Sequence, residues 1–257
     1  MFRHSLDRNV PFTTAFNWFL LSLLSGSVNA GGLLACHRFV THVTGFATLA
    51  GLDLARMNWE QAFGIISVPL YFLFGVMIAA FFVDRRIHKK QEPLYSLVML
   101  LVALCLIFAA VGGYFGTFGS FGDVVNLKKD YSLLALLSMA SGLQNSAITT
   151  ASGSTVRTTH LTGLTTDFGI GLVRSFYSDA DSEQRYQLIQ ANWLRIGTYI
   201  SFVLGSAIGA VLFLRVGYWG FLFPAALALN ALFQELHHHT HKELEEAADR
   251  LRAAETD

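Results

Sequence analysis

Two histidines sit in near-identical polar pentapeptides: "THVTG" at residues 41–45 and "THLTG" at residues 159–163. Each copy brings an imidazole, two hydroxyls and a glycine to the end of an apolar run. Imidazole can relay a proton near neutral pH. Threonine hydroxyls both donate and accept hydrogen bonds, and glycine lets a backbone or a ligand approach closely. The first set is Thr41, His42, Thr44 and Gly45; the second is Thr159, His160, Thr162 and Gly163. On a helix, positions i+3, i+7 and i+11 share a face with position i. From His160 these are Gly163, Asp167 and Gly171; from His42 they are Gly45, Leu49 and Asp53. His160 with Asp167 is the preferred pair, because the second copy is the more polar one. The chemistry this suggests is a polar pathway or pocket. The same residue types also suit close helix packing in a bilayer, so packing alone is the competing explanation.

Four flanking residues extend the constellation. Asn29 and Asn145 interrupt apolar runs in "SGSVNA" and "SGLQNS", and are expected to anchor the motif segments by hydrogen bonds rather than to contact a substrate. Arg38 and Arg157 precede their histidines by four and three residues. They could attract an anion or mark a membrane interface, and the sequence leaves both open.

Other chemistries find little footing. Net charge is zero and no long basic block exists, which argues against nucleic-acid binding. The two cysteines, Cys36 and Cys105, lie in or beside apolar runs and read as buried small hydrophobes. The run "HHHTH" at 237–241 has no fixed partner ligand, so no metal is expected, and no cofactor. No phosphate-binding G-x-x-x-x-G-K-[ST], H-E-x-x-H or G-x-S-x-G motif is present. The chain is therefore not expected to be an enzyme.

The elements that must position these residues are membrane helices. The 257 residues are 53% hydrophobic and only 14% charged, with mean hydropathy +0.46; soluble domains carry roughly 25% charge. A spanning helix needs roughly 20 apolar residues. Six runs qualify, at about 16–36, 62–83, 94–113, 131–151, 192–214 and 217–236. The first resembles a signal peptide, but its features recur in mid-chain, so a retained helix is expected.

The chain is written twice. Besides the pentapeptides, "YFLFGVMIAAFFV" (71–83) matches "SFVLGSAIGAVLF" (201–213), and Arg56 and Arg174 each follow their histidine by fourteen residues. The expected fold is an all-α membrane protein with about six transmembrane helices. They form two inverted three-helix repeats, about 15–113 and 131–236, each with a broken or re-entrant polar segment. All belong to one membrane domain, followed by a charged cytoplasmic C-terminal helix over 237–257. Three spans per half place "RRIHKK" (85–90) inside, in line with the positive-inside rule. An odd repeat must invert, and inverted repeats place sites at their interface. The Gly/aromatic stretch "GGYFGTFGSFG" (112–122) reads as a flexible external connector, and 178–190 as a short amphipathic connection.

"SGSVNAGGLL", "THVTG" and especially "RTTHLTGLTTDFG" (157–169) resemble the YoaK family of bacterial integral membrane proteins, DUF1275, over about residues 15–236. The resemblance implies a six-helix protein of the bacterial cytoplasmic membrane and leaves the activity open; the charge placement puts both termini in the cytoplasm. In that family an Asp is common at the place of Asn29, and an Asn at the place of Phe46. The expected function is a small-solute transporter or channel with its pathway between the two TH-x-TG segments, possible coupling to protons, and an anion among the candidate solutes. A non-catalytic scaffold or sensor is the alternative, and a lipid- or quinone-modifying enzyme is a third. The expected partners are the bilayer, an unidentified solute and a second copy of the chain.

Overall fold

A computed structural model describes residues 10–123, 127–177 and 182–254. Arg3, Arg8 and residues 178–181 of the amphipathic connection lie outside the described residues, as do the side chains of His239 and of residues 241–257. All described elements are helices: α1 (Phe12–Cys36), α2 (Val43–Ala55), α3 (Trp59–Phe82), α4 (Asp84–His88), α5 (Tyr95–Tyr114), α6 (Leu127–Ala151), α7 (Leu161–Tyr177), α8 (Ser182–Val216), a 3-10 turn (Gly217–Phe221) and α9 (Leu222–Ala254).

Local chemistry sets the boundaries that matter for the site. Helix α1 ends where His37 enters the left-handed region (φ 54°) and its N–H closes on the Leu33 carbonyl. The turn after α6 uses Gly153 (φ 56°) and Ser154 (φ 67°) in the same way. Asn58 caps α3, its side chain accepting the N–H of Gln61 at 3.5 Å.

Four helical stretches are long and apolar enough to cross a membrane: Phe12–Cys36, Trp59–His88, Tyr95–Tyr114 and the 55-residue Gln184–His238. The last contains both the 192–214 and 217–236 runs that the sequence separated. The run at 131–151 lies within α6 but is not among the four, because Gln144, Asn145 and several hydroxyl residues dilute its hydropathy. Large apolar side chains cover the outer faces of α3 and α8, including Phe63, Leu70, Phe74, Val203, Val211 and Leu214. Such a surface is suited to hydrocarbon rather than water. The architecture is all-helical and has the make-up of a multi-pass membrane protein.

Glycines hold the helices at backbone contact, as membrane packing favours. A Cβ on Gly26 would collide with the Phe202 carbonyl, and one on Gly205 with the Leu23 carbonyl. The second half matches: Gly142 meets the Phe72 carbonyl and Gly75 that of Met139. The buried hydroxyls repeat the pattern. Ser22 Oγ donates to the Thr198 carbonyl at 2.7 Å, and Ser138 Oγ to the Val68 carbonyl at 3.1 Å.

These contacts also fix directions. Along α1, Phe19, Ser22, Ser27 and Gly31 meet Gly197, Thr198, Gly209 and Phe213 in ascending order, so α1 and α8 run parallel. Tyr131, Ser138 and Gly142 meet Gly64, Val68 and Phe72, so α6 and α3 are parallel too. Between α1 and α6 the order reverses: Gly32 faces Leu137, while Ser25 Oγ donates to Gln144 Oε1 at 2.6 Å. Gln144 Nε2 donates in turn to the Leu21 carbonyl at 2.6 Å. Helices α1 and α3 are thus antiparallel, and the chain between them, including α2, leaves and returns on one side.

The Gly/aromatic stretch is packed rather than free. Phe118 is buried, Phe121 stacks on Phe213 and meets Tyr218 edge-on, and the Tyr218 hydroxyl donates to the Phe118 carbonyl at 3.3 Å.

Candidate functional site

Each TH-x-TG segment is built by the same local chemistry. The threonine before the histidine is tied to an asparagine on the preceding helix. Asn29 Oδ1 accepts the N–H groups of Val40 (3.0 Å) and Thr41 (3.4 Å) and the Thr41 hydroxyl (3.4 Å). Asn145 Oδ1 accepts the N–H of Thr159 (3.3 Å) and the Thr158 hydroxyl (3.4 Å). Asn29 lies seven positions before the end of α1, a depth of about 10 Å at 1.5 Å per residue. The chain therefore folds back into the helix bundle before α2 and α7 begin.

The histidines stand at the starts of those helices, not inside them. His42 is the N-cap of α2 and its carbonyl accepts the N–H of Phe46 at 3.0 Å; the His160 carbonyl accepts that of Leu164 at 3.1 Å. The imidazoles fold back over Gly45 and Gly163, where a Cβ would collide with each ring. That explains the glycine three positions after each histidine: it makes room for the ring. The hydroxyls of Thr48 and Thr166 turn inward to the carbonyls of Thr44 and Thr162, both at 3.0 Å. The first-turn N–H groups at a helix start carry partial positive charge and need partners from outside the helix.

The two segments meet at one cavity of about 760 Å³. Its walls include Asn29, Thr41, His42 and Thr44 from the first half, and Asn145, Arg157, Thr159, His160 and Thr162 from the second. Val43 and Leu161 open the motif helices there, and Phe72 and Phe202 close the sides. No Asp or Glu is among the described residues lining it. A second cavity of about 480 Å³, sharing Phe39, His42 and Thr44, reaches Arg38, Gly45 and Phe46.

Eleven of the sequence-expected residues fall into clear places. Nine line the larger cavity: Asn29, Thr41, His42, Thr44, Asn145, Arg157, Thr159, His160 and Thr162. The other two, Gly163 and, in the smaller cavity, Gly45, make room for the rings. Asp167 lies on an exposed face of α7, outside the cavity walls, and no ion pair joins it to His160 among the described residues. The shared-face argument linked these two, but His160 precedes the helix, so helical periodicity does not extend to its side chain. Asp53 is buried on α2, also away from the cavity. No cluster of three or more His, Cys, Asp or Glu suited to a metal exists among the described residues, and both cysteines are free and buried.

Sequence reasoning missed Phe39, Phe72, Thr149 and Phe202. Phe72 and Phe202 were legible as the shared second residue of "YFLFG" and "SFVLG".

This sequence matches the family described as "Protein of unknown function (DUF1275)" over residues 18–233, which takes in both pentapeptides and nearly every helix. The chain belongs to the DUF1275, or YoaK, family. No curated protein and no solved structure matches it. The DUF1275 match begins within α1 and ends within α9, so the whole cavity lies inside the family region.

Proposed function

We propose that this DUF1275 protein is a small-solute transporter or channel of the bacterial cytoplasmic membrane, with its pathway through the cavity between the two TH-x-TG segments. The observation that carries this reading is the convergence of two polar helix starts, from the two halves of the chain, on one cavity inside an otherwise apolar helical bundle. Polar backbone at membrane depth is tolerated where it lines a cavity, and ionisable residues there are functional candidates by default.

The reading takes the fold as two inverted repeats of three spans. Support comes from the directions: α1 and its sequence counterpart α6 are antiparallel, and α2 does not carry the chain across. On this reading the 55-residue stretch Gln184–His238 crosses twice, turning at Gly217, and α6 crosses while shielded from lipid by α1, α3 and α5. The turns at His37 and Ser154 then lie at opposite faces, and the motif helices enter from opposite sides. Broken helices meeting at the interface of inverted repeats are a common design for alternating access. "RRIHKK" and both termini are assigned to the cytoplasm.

Cysteine accessibility tests the pathway. Thr44→Cys and Thr162→Cys, made in a Cys36→Ser/Cys105→Ser background, should react with a membrane-impermeant maleimide, and the adduct should block flux. A scaffold whose histidines only pack predicts sites closed to the reagent from both faces.

A further inference from the structure

The cavity is two-fold in its walls, with two exceptions. Asn29 pairs with Asn145, Thr41 with Thr159, His42 with His160, Thr44 with Thr162, and Phe72 with Phe202. Three residues before each histidine, however, the first half has Phe39 and the second Arg157, and both line the cavity. The second exception is Thr149 on α6, four residues after Asn145; the corresponding position on α1 is Leu33, which is not in the wall. Thr149 Oγ1 is inaccessible and has no hydrogen-bond partner among the described residues, so it presents no donor to the cavity. Arg157 makes no hydrogen bond or ion pair among the described residues, and no carboxylate shares the cavity with it.

The symmetry is therefore broken in one sense only. At the paired positions three residues before the histidines, the second half of the chain offers the cavity a guanidinium and the first an aromatic ring; Phe72 and Phe202 also line it. We propose that the cavity binds small organic anions with a ring-sized apolar body, the carboxylate at Arg157 and the body against Phe39, Phe72 and Phe202. This rests on the pathway reading for its physiological meaning, but not for the binding itself. A guanidinium holds a carboxylate through two parallel N–H···O bonds. The starts of α2 and α7 add positive potential. Aromatic walls take up a planar apolar body, and 760 Å³ is ample for a single ring with a short substituent. An inorganic anion would leave the aromatic rings unused, and an amine would meet Arg157 without a counter-charge.

Calorimetric titration of the purified full-length protein in detergent with benzoate tests this, with benzamide and benzylamine as neutral and cationic counterparts of the same shape. Benzoate should bind, and benzamide and benzylamine should bind at least about tenfold more weakly, the worth of one charge-assisted pair. Arg157→Gln should weaken benzoate to the same degree, and Arg157→Lys should recover part of it. Phe39→Arg, which restores the two-fold pattern, should make the dianion terephthalate bind tighter than benzoate. Equal binding of benzoate and benzylamine, or indifference to both Arg157→Gln and Phe39→Arg in protein that elutes as wild type, overturns the assignment. Anion binding with these dependences but no solute flux supports the assignment and overturns the pathway. Flux of a neutral or cationic solute without benzoate binding overturns the assignment and leaves the pathway standing.

Discussion

Asn29 accepts the backbone N–H of Val40 across 3.0 Å and, with its counterpart Asn145 on Thr159 at 3.3 Å, folds the chain back into the bundle at both motif segments. The amide oxygen replaces water for backbone groups that have no helix to satisfy them. Removing it strands those donors at a depth where water is scarce, at a cost of about 1–2 kcal/mol. Asn29→Ala and Asn145→Ala should each lower the thermal midpoint in detergent and expose 37–42 or 153–160 to limited proteolysis. Asn29→Asp keeps the acceptor and should restore protection.

The glycine contacts separate close packing from mere helix content. Gly26→Val and Gly142→Val place side chains into the Phe202 and Phe72 carbonyls, and should cost about 1–3 kcal/mol or prevent folding. Gly51 and Gly169 have open space around a Cβ. Gly51→Ala and Gly169→Ala should be neutral or stabilise by up to about 1 kcal/mol through helix propensity. Unfolding midpoints of the four variants decide between these outcomes.

Gln144 joins α1 to α6 through Ser25 and the Leu21 carbonyl, both at 2.6 Å, and is fully buried. Its counterpart in the first half is Val28, so the link is single and asymmetric. Gln144→Leu should destabilise the protein by about 0.6–1.7 kcal/mol, the range for hydrogen bonds between membrane helices. A midpoint equal to wild type contradicts the role assigned to this link.

Asp167 provides a contrast with the cavity residues. It lies outside the walls that hold His42, His160 and Arg157. Asp167→Asn should leave flux within about twofold of wild type, whereas Arg157→Gln should reduce it about tenfold or more if its charge holds the solute. Proteoliposome uptake rates at matched protein incorporation measure both.

Much of this was legible in the residues. Hydropathy placed α1, α3, α5 and α6 within about four positions, while α8 begins ten residues before its apolar run; the repeated THxTG with Asn29 and Asn145 marked the cavity, because a polar cluster in an apolar chain requires a partner. Helical periodicity failed at His160 and Asp167, since an N-cap residue points by its own backbone dihedrals and not by the helix. Phe39 escaped because its counterpart is Arg157: an alignment that rewards likeness passes over the position where the two halves differ. The packing of 112–122 was hidden because its aromatic partners, Phe213 and Tyr218, lie some hundred residues away.

The most direct test of the central claim is efflux from proteoliposomes loaded with a mixture of labelled small organic anions, cations and neutral solutes. Wild type is compared with Thr162→Trp, which fills the cavity, and Phe63→Trp, which alters only the outer face of α3. The account predicts that at least one solute leaves faster than from protein-free vesicles, that Thr162→Trp abolishes this, and that Phe63→Trp does not. Protein-dependent efflux that Thr162→Trp leaves intact, or no such efflux for any solute, would contradict it.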